Sequence, residues 1–338
     1  MPVCDQIPGF SDEENDSMSE DNINNLNKLR AKNIQNPLFA YYNINSLRFK
    51  FDDLKEIISK SLPDVLVFAE TKLDSSFSNA QFFLEEYYEP TRKDISCHSG
   101  GIIEYIRKGI VRKRLNEFEL NHFESIASEL TINKNKFFLL SFYRTERGEN
   151  KLQNITKFFQ ELSLILNKVS IKYDNIILMG DINIDYHDRK CVGFKELKEF
   201  MDIFNLKNLI KDNTCFFRDH ESLIDVILTN KPRQFFNSNA FEIGISDCHK
   251  MIVTNLRVHV ARLNTKVITY RSMKQFNKDE FLNELTHHLS NFSCIDTNMA
   301  YDKLVNILTI VLDKYAPVKK KIVRGNQSRF MNKHLIKL

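Results

Sequence analysis

The sequence predicts an α/β protein, a layered sandwich of mixed β-sheets and helices with a helical extension after it. Short apolar runs alternate with longer segments in which apolar residues recur every three or four positions. Most runs are apolar on consecutive residues, which is typical of strands covered on both faces. Some strand-like runs follow one another without an intervening helix, so the sheets are expected to be mixed.

Six runs are predicted to be strands, the first beginning at Leu38. They span residues 38–44, 64–70, 136–143, 175–181, 223–230 and 251–258. Between them, amphipathic stripes predict three helices, over residues 47–58, 152–169 and 194–204. Stripes of this kind more often face a core than a cofactor, so all three helices are assigned to the core.

The character of the chain changes after residue 258. Apolar positions from Phe281 to Leu289 and from Tyr301 to Tyr315 predict two helices, the second ending at Pro317. Residues 37–258 are therefore interpreted as the main domain, and residues 259–338 as a helical, basic extension.

Charge is concentrated at the two ends of the chain. Residues 1–27 hold seven acids and no Lys or Arg, residues 318–338 hold seven bases and no acid, and the net charge is +4. Residues 1–36, rich in Asn, Asp, Ser and Glu, are predicted to form a disordered acidic tail. The basic end suits contact with a polyanion, although a solvated charged segment explains it equally well.

The cysteines and the apolar segments of the sequence indicate the class of protein. Six cysteines are scattered without C-x-x-C spacing, which indicates neither a zinc site nor a disulfide framework. The N-terminus lacks the apolar segment of a signal peptide, and no apolar run is long enough to cross a bilayer. A reduced, intracellular protein without a membrane partner is therefore expected.

Polar residues stand where the predicted strands begin or end. Because strand ends converge on a common crevice in α/β folds, these side chains are expected to meet. Asp225 is the most telling, because an unpaired buried carboxylate is costly. The set comprises Asn43, Asn45, Glu70, Tyr143, Asp181, Asn183, Asp225, Ser246, Asp247 and His249.

These residue types suit one kind of chemistry. Carboxylate and amide oxygens are hard ligands that favour Mg²⁺ or Mn²⁺. A neighbouring Asp–His pair offers an oriented base or a phosphate contact, and Asn and Tyr supply neutral donors. Together they predict metal-assisted attack of water on a phosphoester.

The motifs, in their order, resemble the endonuclease/exonuclease/phosphatase superfamily. They are NINSLR (43–48), PDVLVFAETKLD (63–74), SFYRT (141–145), GDIN (180–183), SLIDVILTN (222–230) and SDCHKM (246–251). Segments 70–107 and 214–235 further resemble the endonuclease domain of LINE-type non-LTR retrotransposons of invertebrates. The resemblance covers about residues 37–258 and implies a four-layer α/β sandwich with two packed mixed sheets flanked by helices.

The C-terminal segment RGNQSRFMNKHLIKL (324–338) resembles the linker that precedes the reverse transcriptase in such polyproteins. The chain is therefore expected to be the endonuclease portion and linker of a truncated element, or a fragment of one.

The resemblance implies how the cation and the attacking water are held. Glu70, with Asn45 and Asp247, would hold Mg²⁺ or Mn²⁺. Asp181 and Asn183 would activate and position the water, because a carboxylate can accept its proton while the cation neutralises developing charge.

The resemblance also implies contacts with the substrate. Asn43 and Tyr143 would contact the scissile phosphate, and Asp225 would orient His249. Two further residues are expected on the DNA side, Thr214 and Ser246.

Two departures from the family pattern bear on activity. The family usually places His directly after the Asp of its S-D-H motif, whereas here Cys248 follows Asp247 and His249 comes one residue later. A one-residue shift in a strand turns a side chain to the other face, so His249 reaches Asp225 only if the preceding turn absorbs the shift. Arg144 follows Tyr143 where prolines are frequent, which affects loop stiffness more than chemistry.

The expected function is nicking of double-stranded DNA for target-primed reverse transcription, in the nucleus, with element RNA as a second candidate partner. Two alternatives stay open at this point. One is a catalytically impaired nucleic-acid-binding remnant, which the Cys248–His249 departure motivates. The other is a superfamily phosphatase acting on a small molecule or phospholipid.

Overall fold

The computed structural model describes residues 12–146, 150–217, 220–260, 265–290, 292–293 and 296–324. The chain divides into two compact units after Val260. The strands are β1 Leu38–Asn43, β2 Val65–Ala69, β3 Thr91–Lys93, β4 Ile102–Ile106, β5 Val111–Arg114, β6 Glu124–Ile132, β7 Asn135–Tyr143, β8 Asn175–Asp181, β9 Lys207–Asn208, β10 Cys215–Phe217, β11 His220–Ser222, β12 Asp225–Thr229, β13 Phe235–Phe241, β14 Met251–Leu256, β15 Thr265–Arg271 and β16 Val318–Arg324. The helices are α1 Asp12–Lys32, α2 Phe51–Ser61, α3 Lys151–Lys172, α4 Phe194–Ile203, α5 Lys278–Ser290 and α6 Thr297–Tyr315.

Two six-stranded mixed sheets pack face to face in the first unit. Their strand orders are β13-β14-β1-β2-β4-β3 and β5-β6-β7-β8-β12-β9. β1 pairs with β2 in parallel, as β7 does with β8, and the other described pairs in these sheets are antiparallel. Each sheet therefore contains one parallel pair, and both parallel pairs carry predicted site residues at their ends.

Helices cover the outer face of each sheet. Along β1, Phe39 and Tyr41 belong to the core shared with the second sheet, whereas Leu38, Ala40 and Tyr42 belong to the core under α1 and α2. Helices α3 and α4 pack against the second sheet. The continuously apolar strands are thus buried on both faces, and the predicted four-layer α/β sandwich is confirmed.

The N-terminal segment differs from the prediction of a disordered tail over residues 1–36. Within its described part, Asp12–Lys32 is helical. Leu26 is fully buried against the first sheet's outer core, and the buried Arg30 guanidinium binds the Asp64 carboxylate at 2.9 Å and the Leu62 carbonyl at 3.0 Å. These partners lie more than thirty residues away in the chain, so composition alone could not reveal them.

The second unit holds both helices predicted beyond residue 258. α5 and α6 are joined by bonds from Lys314 (2.5 Å) and Tyr315 (2.6 Å) to Glu284. An antiparallel pair, β15 with β16, brackets the helices and was not predicted. Of the linker-like segment, residues 325–338 lie outside the described residues. No described helix is both long and apolar enough to cross a membrane.

Candidate active site

The predicted site residues converge at one edge of the sandwich. Asn43 ends β1 and Glu70 follows β2, its parallel neighbour. Tyr143 ends β7 and Asp181 ends β8, the parallel pair of the other sheet. Because parallel neighbours end at the same edge, the four side chains meet between the two sheets.

A row of three polar residues crosses the second sheet. Tyr143 and Asp225 flank Asp181 in register on β7 and β12. All three are buried, and the Asp181 and Asp225 side chains are almost inaccessible to solvent. The Asp181 carboxylate accepts bonds from the Asn43 amide (3.1 Å) and the Asn183 backbone N–H (2.8 Å). Two buried carboxylates on adjacent strands require a proton, a cation or strong donors nearby.

Glu70 joins this row to the first sheet. Its Oε1 accepts bonds from the Tyr143 hydroxyl and from the Asn43 amide at 3.2 Å. Its Oε2 lies 4.0 Å from the Lys72 ammonium, which also donates to Asn45 Oδ1. Glu70, Asn43 and Asp181 thus form one continuous hydrogen-bonded group.

Asn45 and Asp247 extend the group toward solvent. The Asn45 amide donates to Asp247 Oδ2 at 3.3 Å, and Asp247 is exposed. The three residues expected to hold the cation, Glu70, Asn45 and Asp247, are therefore linked through direct contacts of Asn45 and Lys72.

Four residues of this group have left-handed backbone conformations. Their φ angles are 48° at Asn45, 51° at Glu70, 51° at Lys72 and 49° at Asn183. Such conformations cost roughly 1–3 kcal/mol each for residues other than glycine and concentrate at functional sites. The strain agrees with a ligand-binding role for these loops.

Two glycines support the strained loop after Glu70. The carbonyls of Gly101 and Gly100 accept from the N–H groups of Thr71 (3.2 Å) and Lys72 (2.8 Å). Both glycines have positive φ, and a Cβ at Gly101 would collide with the Thr71 hydroxyl. This short glycine run therefore fixes the backbone that presents Glu70.

The residues present fit a hard divalent cation. The donors at the mouth of the site are carboxylate and amide oxygens, the set preferred by Mg²⁺ and Mn²⁺. Asp225 Oδ1 is buried without a hydrogen-bond partner in the described structure. One ligand atom from each of Asp181, Asp225 and His249 lies within 4.8 Å of the others. The carboxylate and amide oxygens at the mouth, rather than this buried group, are therefore the donors that fit the cation.

The displaced histidine reaches the site. His249 Nδ1 lies 2.9 Å from Asp225 Oδ2, and His249 is 9% exposed. The chain around it runs antiparallel to residues 214–216, with bonds from Phe216 N to Cys248 O (2.7 Å) and from Lys250 N to Thr214 O (2.8 Å). The turn before β14 therefore absorbs the one-residue shift, and the Asp–His pair is formed.

Burial and neighbouring charges set the protonation of the site. Burial, together with the Asp225 charge, raises the pKa of Asp181 to about 7. Burial alone would lower the pKa of His249, but the Asp225 carboxylate outweighs it and holds that pKa well above its usual value. Burial and Glu70 raise the pKa of Tyr143, so its phenol stays protonated. The site therefore offers a carboxylate that titrates near neutrality beside a protonated imidazole.

Thr214 and Ser246 differ from the expectation that they face DNA. Thr214 is fully buried, and its hydroxyl accepts from the backbone N–H groups of Ile224 (3.2 Å) and Asp225 (3.0 Å). Thr214 thus anchors the start of β12. The Ser246 hydroxyl is buried without a partner in the described structure, and its backbone N–H bonds the Tyr42 hydroxyl at 2.5 Å.

Two side chains that were not predicted to belong to the site, Arg144 and Tyr41, hold the segment from Asp181 to Asn183. The buried Arg144 guanidinium donates to the carbonyls of Ile182 (2.5 Å) and Asn183 (3.0 Å), while the Asn183 amide donates to the Arg144 carbonyl at 2.8 Å. The Tyr41 hydroxyl accepts from Asp181 N at 2.9 Å across the two sheets. Arg144 therefore holds the backbone of this segment in place. Tyr41 could have been suspected from the sequence because it stands in the Tyr-Tyr-Asn end of β1.

Comparison with solved structures shows the same fold at low identity. The AP endonuclease LMAP from Leishmania major superposes with a TM-score of 0.58 at 15% identity, over 66% of this chain and 88% of that one. A variant of the 3′ phosphatase NExo from Neisseria, bound to a product DNA hairpin, gives 0.54 at 14% identity over 65% and 99%. The endonuclease domain of TRAS1, a telomere-specific non-LTR retrotransposon, gives 0.52 at 12% identity over 66% and 99%.

Comparison of the sequence itself decides the family. No curated protein matches the chain significantly. The sequence profile of the endonuclease/exonuclease/phosphatase family, however, matches residues 40–247, which include every site residue described above except His249. The chain belongs to the endonuclease/exonuclease/phosphatase family.

Proposed function

We propose that this protein is a divalent-metal-dependent DNA endonuclease that nicks one strand, serving target-primed reverse transcription of a non-LTR retrotransposon. The observation that carries the proposal is the formed Asp225–His249 pair, 2.9 Å between Oδ2 and Nδ1, beside the buried Asp181. Hydrolysis of a phosphodiester uses such an oriented imidazole beside a carboxylate, whereas a remnant that only binds nucleic acid does not require one.

Different side chains of the protein have different roles in hydrolysis. The Asp181 carboxylate receives the proton of the attacking water, because its raised pKa makes it a competent base near neutrality. The Asn43 amide and the Tyr143 phenol would donate to phosphoryl oxygens by exchanging their present bonds to Glu70 and Asp181. The protonated His249, oriented by Asp225, stabilises negative charge on the phosphate.

Glu70, Asn45 and Asp247 would hold the cation. Mg²⁺ or Mn²⁺ bound there would neutralise the charge that develops on the phosphate. The strained backbone at Glu70 and Asn45 orients these donors in advance, which reduces reorganisation during the reaction.

Groups beside the mouth of the site favour nucleic acid over a small phosphate ester. The Arg48 guanidinium lies 5.6 Å from the ring of Phe49, which is 87% exposed, only a few residues after Asn45. The Lys50 ammonium donates to the carbonyls of Ile44 (3.1 Å) and Asn45 (3.3 Å). Cationic and exposed aromatic side chains together suit a phosphate backbone with stackable bases.

The retrotransposon assignment rests on the resemblance of segments 70–107 and 214–235 and on the likeness to the TRAS1 endonuclease domain. A target in nuclear DNA, with element RNA as a second partner, is part of the same proposal. The favoured alternative, an impaired binding remnant, draws its support from Cys248 standing where the family places histidine.

Plasmid nicking tests the proposal. Supercoiled DNA is incubated with Mg²⁺ and wild-type protein, Glu70→Ala, Asp181→Ala or Glu199→Ala, a control on the exposed face of α4. Wild type and the Glu199 control are expected to nick, and the two site variants are not. No nicking by wild type above the site variants contradicts enzymatic activity and supports the remnant. Hydrolysis of a phosphoinositide without DNA cleavage supports the phosphatase alternative.

A further inference from the structure

A second group of side chains of the kinds that bind metals includes His249 and two cysteines. Cys215 is buried on β10 and faces His249 across an isolated β-bridge, and Cys248 is half-buried beside it. One ligand atom from each of the three residues lies within 4.8 Å of the other two. Both thiols are free. Widely spaced in sequence, the two cysteines are brought together only by the pairing of residues 214–216 with 248–250.

The separation of these atoms is close to that of a tetrahedral zinc site. With usual zinc–sulfur and zinc–nitrogen bond lengths, tetrahedral ligand atoms lie about 3.5–3.8 Å apart. Contraction by at most about 1.3 Å, within reach of side-chain rotation, would therefore bring the three ligand atoms to these separations.

The histidine of this group already has the support that metal-bound imidazoles use. A ligating His almost always bonds a carboxylate or carbonyl through its other ring nitrogen, which fixes the ring. Here Asp225 Oδ2 contacts Nδ1 of His249 at 2.9 Å, and Nε2 is the nitrogen outside that bond. The Asp225 side chain is fully buried, so the partner of the imidazole is enclosed by the core.

We infer that Cys215, Cys248 and His249 form a binding site for a soft divalent cation, Zn²⁺ in particular. Three protein ligands leave a fourth position for water or a phosphate oxygen. Binding displaces the protons of the two thiols and the Nε2 proton of the imidazolium, and it forms two metal–sulfur bonds and one metal–nitrogen bond. Thiolate and imidazole ligands select against Mg²⁺, so this site is chemically distinct from the oxygen donors around Glu70.

The position of the site gives it a consequence for catalysis. His249 cannot carry a proton on the nitrogen that binds a metal, so zinc would remove the imidazolium from phosphate chemistry. Zn²⁺ is therefore expected to inhibit the Mg²⁺-dependent reaction without competing for the Glu70 donors. This consequence rests on the proposed function, whereas the binding site itself does not.

Cobalt substitution tests the site independently of activity. The full chain, cleared of metal by a chelator and kept reduced without added thiols, is titrated with Co²⁺. Sulfur-to-cobalt charge-transfer absorption is expected in wild type and in Cys97→Ser and Cys191→Ser, the matched controls. It should be lost or at least about tenfold weaker in affinity in Cys248→Ser and Cys215→Ala. Absence of the absorption in wild type, or its full retention in both cluster variants, overturns the inference.

A folding control and an activity assay complete the test. Cys248 is only half-buried, so Cys248→Ser is the decisive variant if Cys215→Ala unfolds, as judged by circular dichroism. Nicking is then measured with and without Zn²⁺ and normalised to the activity of each variant without zinc. Inhibition should weaken at least about tenfold in Cys248→Ser; equal inhibition of both proteins contradicts the link to His249. If no protein nicks DNA, the proposed function fails while the cobalt result still decides the site.

Discussion

Replacing Asp181 by asparagine is expected to abolish activity and to stabilise the fold above neutral pH. The pKa of Asp181 rises from 3.8 to about 7 on folding, and a difference of one in pKa corresponds to about 1.4 kcal/mol. Between those values the folded state retains a proton that the unfolded chain has released, so stability falls as pH rises. Above pH 7 the ionised carboxylate therefore destabilises the fold by about 4 kcal/mol.

The substitution also removes a favourable contact. Asp181 accepts bonds from the Asn43 amide and the Asn183 N–H, and an asparagine amide oxygen replaces only one of the two acceptors. Losing a bond of this kind costs about 1 kcal/mol. Asp181→Asn should thus gain about 3 kcal/mol at about pH 8 and lose about 1 kcal/mol at about pH 4.

Urea unfolding followed by circular dichroism, in EDTA, measures the difference at both pH values. Asp202→Asn, on the exposed surface of α4, is the control and should change stability little at either pH. The same samples are assayed for nicking with Mg²⁺. A stability difference between Asp181→Asn and wild type that does not change with pH refutes the reasoning from burial.

Four further predictions follow from the site and the fold. His249→Ala should lower kcat/KM for nicking by about 10²–10⁴-fold, whereas Cys248→His should not raise it. A clear gain in kcat/KM with Cys248→His would mean that His249 does not act as the histidine of the active site. The rate constant kcat/KM should fall about tenfold per pH unit below about pH 7, where Asp181 is protonated. It should fall again at high pH, where His249 loses its proton. A flat profile contradicts both the assignment of Asp181 as the base and that of His249 as the protonated group. Mg²⁺ at about 100 times its Kd should stabilise wild type by about 2.7 kcal/mol in thermal unfolding, and an equal gain in Glu70→Ala places the cation elsewhere. Arg30→Met should destabilise the first unit by about 3–5 kcal/mol in urea, and wild-type stability in this variant would show that α1 contributes little.

Much of the fold could be predicted from the sequence because the central strands are buried on both faces. Continuous apolar runs mark β1, β2, β7, β8, β12 and β14 within a few residues of their observed bounds. Short strands such as β3 and β9 have too few residues to show a periodicity. The helix predicted from Leu47 begins only at Phe51, and a turn over residues 48–50 separates it from the positive φ angles of Asn45 and Ser46.

The convergence of most candidate residues could be predicted because they stand at strand ends, which the sequence reveals. The exceptions depend on contacts distant in the chain. Thr214 looked like a DNA contact, yet its hydroxyl is used by the start of β12. Arg144 looked like a change in loop stiffness, yet its guanidinium holds two carbonyls of the loop that presents Asn183. Hydrogen-bond partners that are distant in the chain can be identified only from the folded structure.

The displaced histidine shows where this fold tolerates an added residue. Asp181 and Asp225 belong to a ladder of five register pairs between β8 and β12, so a shift of one residue there would turn a carboxylate to the wrong face. His249 instead faces its neighbour through an isolated bridge, after a turn that contains Gly244 at φ 71°. An added residue in this turn does not change the register of a strand ladder, so the imidazole can still reach the Asp225 carboxylate. The structure thus brings His249 to Asp225 although one residue separates it from Asp247, and Cys248, at the place where the family has histidine, lies beside Cys215.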